Sequence, residues 1–210
     1  MSDAIPFKRK HNAILALMVV GFLLAACAAE TPEATQELQA SASPYVTPLF
    51  REYYERLGGE AALGPVISPL LAEGDVQRQY TEAVLMVFDP RAPAARRFQL
   101  APLGVDLGVV EPTLPAPDTR DPQFVRGHFV LDDFFTKYQE LGGLRTLGRP
   151  LTEAHYDPAT TRNQQFFENA GLYRLDSDPP GTVRLLAYGA WACGTGCTAQ
   201  PDQNAIVEPL

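Results

Sequence analysis

The chain has 210 residues, a formal net charge of −8 and 46% hydrophobic residues, with 16 glycines and 19 prolines. An acidic balance of that size disfavours nucleic acid as a partner and disfavours electrostatic adhesion to anionic lipid. The three cysteines take their meaning from the compartment, and the first residues address the compartment.

Residues 1–26 read as an export signal. Lys8, Arg9, Lys10 and His11 form a basic flank, Ala13 to Leu24 is apolar but short for a membrane span, and Ala25-Ala26 places small residues before Cys27. Without residues 1–26 the remaining chain carries about −10. An uncleaved N-terminal anchor with an incidental cysteine is the alternative, and it too puts the body outside the cytoplasm. Residues 27–44 hold little that is apolar and are expected to form a flexible tether.

A first module is expected over 45–110. Phe50, Tyr54 and Leu57 fall at helical spacing, Thr47-Pro48 offers a hydroxyl N-cap with Pro in the first turn, and Leu57-Gly58-Gly59 stops the helix. Leu63-Gly64-Pro65 then favours a turn, Gln79 to Phe88 reads as a strand, Asp89 to Pro93 as a turn, and Arg97 to Leu100 as a second strand. Residues 111–123, with Pro112, Pro115 and Pro117, read as an extended linker.

A second module is expected over 124–197, because the run Phe50 to Gly64 recurs as Phe134 to Gly148 at an offset of 84 without a gap. Phe134, Tyr138 and Leu141 repeat the helical stripe, Gln165 to Tyr173 the strand, Asp176 to Gly181 the turn, and Thr182 to Leu185 the second strand. The fold class is therefore α+β, two modules each with a short helix followed by a small antiparallel β-meander of two or three strands. At about 60 residues, each is near the lower limit for a core of its own, so the two are expected to pack together. Residues 198–210 read as a loose tail.

Cys193 and Cys197 form an even pair that can close a small glycine-containing loop in an oxidising compartment; two free thiols are the alternative. Glu82 and Glu168 each stand three residues after a glutamine. Two carboxylates could serve glycoside hydrolysis, but a repeat also reproduces structural residues, and the structural role is preferred. His155 with Glu153 and Asp157 groups metal-ligand types, yet a solvated loop is the expectation, with His128 at the end of the linker. No metal, cofactor or catalytic residue is assigned. Tyr173, Tyr188 and Trp191 are the candidate ligand-binding residues, since flat rings stack on sugar faces, although core packing accounts for them equally well.

Two resemblances sharpen the expectation. Leu24-Ala25-Ala26-Cys27 resembles the lipobox of bacterial lipoproteins, which implies cleavage before Cys27 and acylation of its thiol, with two or three acyl chains anchoring far more firmly than one. Leu147-Gly148-Arg149-Pro150 and Gln165 to Tyr173 resemble the LGFP repeat, a tandem module of secreted and wall-attached bacterial proteins. The first module keeps Leu63-Gly64 but has Pro65 one place early, and Val84 to Val87 lacks the glycine and tyrosine. The resemblance implies contact with cell-wall glycan or peptidoglycan. The leading expectation is a non-catalytic lipoprotein on the extracytoplasmic face of the cell membrane that holds envelope polymer. A scaffold for another envelope protein comes second, and a cell-wall hydrolase third.

Overall fold

Apolar residues at helical spacing produce the first helix, α1 (Pro48–Arg56), which buries Phe50, Tyr53 and Tyr54. Thr47 occupies the N-cap position, but its hydroxyl does not cap the helix. It donates instead to Gln79 Oε1 at 3.2 Å, which corrects the expected hydroxyl cap. The computed structural model describes residues 45–194 and 197. Cys27, the export signal, the tether and the 198–210 tail therefore lie outside the described residues.

Gly58 ends α1 at φ 100°, a left-handed conformation that costs a residue with a Cβ about 1–2 kcal/mol. A second helix, α2 (Gly59–Leu63), follows where only a turn was expected. Four antiparallel strands come next: β1 (Leu71–Glu73), β2 (Val76–Tyr80), β3 (Leu85–Phe88) and β4 (Phe98–Leu100), paired in that order. The predicted single strand over Gln79 to Phe88 is thus two strands with a reversal between them. The reversal forms because Thr81 N donates to Val84 O at 2.9 Å, Val84 N donates to Thr81 Oγ1 at 3.2 Å, and Glu82 N donates to Pro65 O at 2.9 Å. A short helix, α3 (Leu103–Asp106), closes this half.

The second half opens with a hairpin that sequence reading missed, β5 (Phe124–Val125) and β6 (His128–Phe129). Then come α4 (Asp132–Glu140), burying Phe134 and Tyr138, a left-handed Gly142 at φ 95°, and a 3-10 turn over Gly143–Arg145. Strands β7 (His155–Asp157), β8 (Arg162–Gln165), β9 (Leu172–Leu175) and β10 (Arg184–Leu185) form a second four-stranded antiparallel sheet in the order β10-β9-β8-β7. The predicted strand Gln165 to Tyr173 divides between β8 and β9. The last helix among the described residues is α5 (Tyr188–Cys193). Helices and small antiparallel sheets together make an α+β fold, with four strands in each meander rather than two or three.

Buried polar groups are satisfied by equivalent bonds in the two halves. Tyr54 Oη donates to Gly64 O at 2.8 Å, and Tyr138 Oη donates to Gly148 O at 3.0 Å. Gln79, fully buried, donates to Tyr45 O at 2.8 Å and to Ser68 O at 3.3 Å, and accepts from Thr47 N at 3.1 Å. Gln165, also fully buried, donates to Phe129 O at 2.7 Å and to Thr152 O at 2.9 Å, and accepts from Leu131 N at 3.3 Å. Each glutamine therefore clips the segment entering a helix onto its own sheet.

The short terminal helices cross over. Gly104 N in α3 donates to Glu168 O at 2.8 Å in the second half, and Ala190 N in α5 donates to Glu82 O at 2.9 Å in the first. Both crossings need a residue without a Cβ: at Gly104 it would overlap the Phe167 carbonyl, and at Gly189 the Thr81 carbonyl. The apolar core is accordingly shared. One cluster joins Phe50, Tyr54 and Leu63 to Phe134, Tyr138 and Phe167, and another joins Leu85, Val87 and Leu103 to Leu151, Leu186 and Tyr188. Burying apolar surface of each half against the other in both clusters relieves the size limit that either half would face alone.

Candidate functional site

A trough of about 1320 Å3 opens on the surface of the described residues. One wall comes from the last turn of α1 and from the segment leading into β4: Tyr53, Arg56, Arg96, Phe98 and Gln99. The other comes from Gln139 to Thr146, where α4 ends and the chain doubles back. Gly142 and Gly143, at φ 95° and 55°, permit that reversal.

Aromatic side chains back the first wall. Phe98 lies 5.7 Å from Tyr53, 4.8 Å from Phe88 and 6.1 Å from Phe50, ring centre to ring centre. The Arg56 guanidinium sits 5.2 Å from the centre of the Tyr53 ring, a geometry in which the ring quadrupole attracts the cation. Burial pushes the Tyr53 phenol up to about 12, against the opposing pull of Arg56, so it stays protonated at neutral pH.

The trough is basic in an acidic chain. Arg56, Arg96 and Arg145 line it with one carboxylate, Glu140, and Lys137 donates to Glu140 at 3.3 Å. Arg56 has an exposed partner, Glu52, at 3.7 Å, a separation in water that holds a side chain only weakly. Among the described residues, Arg96 and Arg145 have no ion-pair partner. Guanidinium forks, amides and an aromatic wall can together hold an oligomer that has ring faces, hydroxyls and anionic groups.

The residues singled out from sequence lie elsewhere. Tyr188 is 0% exposed, donates to Phe167 O at 3.4 Å and stacks on Phe166, and burial raises its phenol well above the usual range. It is a core residue, which corrects its assignment to a ligand surface. Trp191 is half-buried in α5, 5.7 Å from the Tyr188 ring, and its Nε1 is the one buried side-chain nitrogen or oxygen without a partner among the described residues. Tyr173 is half-buried on β9 beneath the Arg162 guanidinium, 5.3 Å from ring centre to guanidinium. The three rings pack on one apolar cluster and present no common open face.

Glu168 binds Arg149 through both its Nε, at 2.8 Å, and its backbone N, at 3.1 Å. Glu82 is exposed, and its carbonyl receives α5. The residues of the suspected metal cluster are drawn apart, since Glu153 meets His128 at 3.0 Å while His155 meets Glu111 at 2.5 Å. Among the described residues no group of three His, Cys, Asp or Glu could hold a metal ion. His155 lies in β7, not in a solvated loop, and His128 is buried in β6 rather than ending a linker. Glu111 is tied to the second half as well, by its own N–H to Leu151 O at 2.8 Å and by Glu153 N at 2.7 Å. The sulfurs of Cys193 and Cys197 lie at disulfide distance, with Cα atoms 5.9 Å apart.

Sequence reasoning missed the trough residues. The available signal was divergence inside the recurring run, where Tyr53 stands opposite Lys137 and Ala61 opposite Arg145. Compared with protein-family models, curated proteins and solved structures, the chain matches none.

Proposed function

We propose that the protein is a non-catalytic lipoprotein, anchored through acylated Cys27 on the extracytoplasmic face of a membrane, whose body holds a cell-envelope polymer in the trough. The single supporting observation is the trough itself, walled by Tyr53 and Phe98 and larger, at about 1320 Å3, than the roughly 300–1,000 Å3 typical of sites for one small molecule. Sedimentation of the detergent-solubilised full chain with purified cell wall tests it. A chain left wholly in the supernatant sinks the proposal.

The body, on this reading, is two copies of one module. The matched tyrosine-to-glycine bonds, the two clipping glutamines and the two crossed helices support that view, and shared framework bonds leave the divergent positions for ligand. A docking scaffold is the second reading. It draws support from β1, whose three residues are exposed and which pairs on one side only, an edge that another strand can extend. Stoichiometric co-purification of one protein without glycan would favour it.

A further inference from the structure

We propose, resting on the polymer-holding reading above, that the trough selects a carboxylate-bearing glycan, a pyranose chain carrying separated acid groups, through Arg56, Arg96 and Arg145. The arginine fork matches a carboxylate with two parallel hydrogen bonds. Arg96 and Arg145 are exposed and, among the described residues, free of ion-pair partners, so a ligand carboxylate displaces no existing bridge. Glu140, the one acidic lining residue, faces Lys137, which tempers its repulsion.

The rest of the surface narrows the choice among anions. The chain carries a formal −8, so a densely charged phosphate polymer gains at three arginines and is repelled elsewhere. A glycan with spaced acids places little charge outside the trough. Phe98, half-buried and backed by the buried Tyr53 ring, offers ring surface to the C–H faces of pyranose sugars, which an open polyol phosphate lacks. Gln99 and Gln139, both exposed on the walls, supply donors and acceptors for hydroxyls.

The test is calorimetric titration of the full chain in detergent micelles with a galacturonic acid tetramer, a neutral galactose tetramer and inorganic polyphosphate. The acid tetramer is expected to bind at least about tenfold tighter than the neutral one, which corresponds to about 1.4 kcal/mol, and to weaken as salt shortens the screening length. Arg145→Gln is expected to cost about tenfold with an unchanged unfolding midpoint, whereas Arg120→Gln, outside the trough, changes nothing. Equal binding of acid and neutral tetramers overturns the selectivity and leaves polymer holding intact. Polyphosphate binding as tightly as the acid tetramer overturns the glycan assignment. If no tetramer binds while the chain still sediments with wall, the trough is the wrong site; if sedimentation fails too, the functional reading falls with it.

Discussion

Replacing Gly189 by alanine sets local helix preference against tertiary contact. Within α5, alanine gains up to about 1 kcal/mol over glycine. The added Cβ, however, would lie 2.8 Å from Val84 O, 3.1 Å from Glu82 O and closer still to Thr81 O. All three are main-chain atoms of a reversal fixed by its own hydrogen bonds, so no side chain can swing aside. Overpacking costs about 1–3 kcal/mol. Lifting α5 also loses the 2.9 Å bond from Ala190 N to Glu82 O, about 1 kcal/mol more. The net loss is about 1–3 kcal/mol, or a fall in Tm of roughly 2–12 °C for a body of this size. Urea unfolding of the full chain can follow Trp191, the one tryptophan, which reports from α5 itself. An unchanged or raised midpoint would refute the crossed-helix account, since it is the result that local propensity alone expects. Gly104→Ala, placed against Phe167 O on the other crossing, should give a loss of the same sign.

Gln79→Leu and Gln165→Leu should each destabilise by about 2–4 kcal/mol, because each strands a buried carbonyl, that of Ser68 or of Thr152, and loses the bonds to the segment entering the helix; chemical denaturation measures it, and losses under about 0.5 kcal/mol would show the clips to be dispensable. Alkaline pH should unfold the body. Burial pushes the phenols of Tyr53 and Tyr138 up to about 12 and raises that of Tyr188 well above its ordinary value, so above the unfolded value near 10 the unfolded chain binds fewer protons than the folded one. The stability they contribute is complete below about pH 10 and lost as pH rises through about 12; a flat melting temperature across that window contradicts it. Cys193→Ser should cost about 2 kcal/mol through loss of the short loop, and thiol titration of denatured, unreduced wild type should find neither Cys193 nor Cys197 free. Cys27→Ser should release the chain from membranes or leave an uncleaved precursor, so an unchanged mature size and membrane fraction would remove the lipid anchor.

Local signals in the sequence were sufficient for the two long helices and their C-terminal ends. The stripes of Phe50, Tyr54 and Phe134, Tyr138 fixed which faces turn inward, and glycine at 58 and 142 supplied the left-handed residue that a helix end takes up. The same signals misread Gln79 to Phe88 and Gln165 to Tyr173 as unbroken strands, because both reversals are held by residues far back in the chain, Pro65 and Leu63 in one, Arg149 and Leu147 in the other. The burial of His128, the glutamine clips and the crossed helices likewise join residues tens of positions apart, and such contacts leave no local periodicity. Tyr188 illustrates the ambiguity: an aromatic residue in a run with other rings reads equally as sugar platform or core, and only the packing of Phe166 and Trp191 around it decided for core. The trough arose the same way, from α1 and the end of α4 brought side by side once the apolar surface of each half had to be buried against the other.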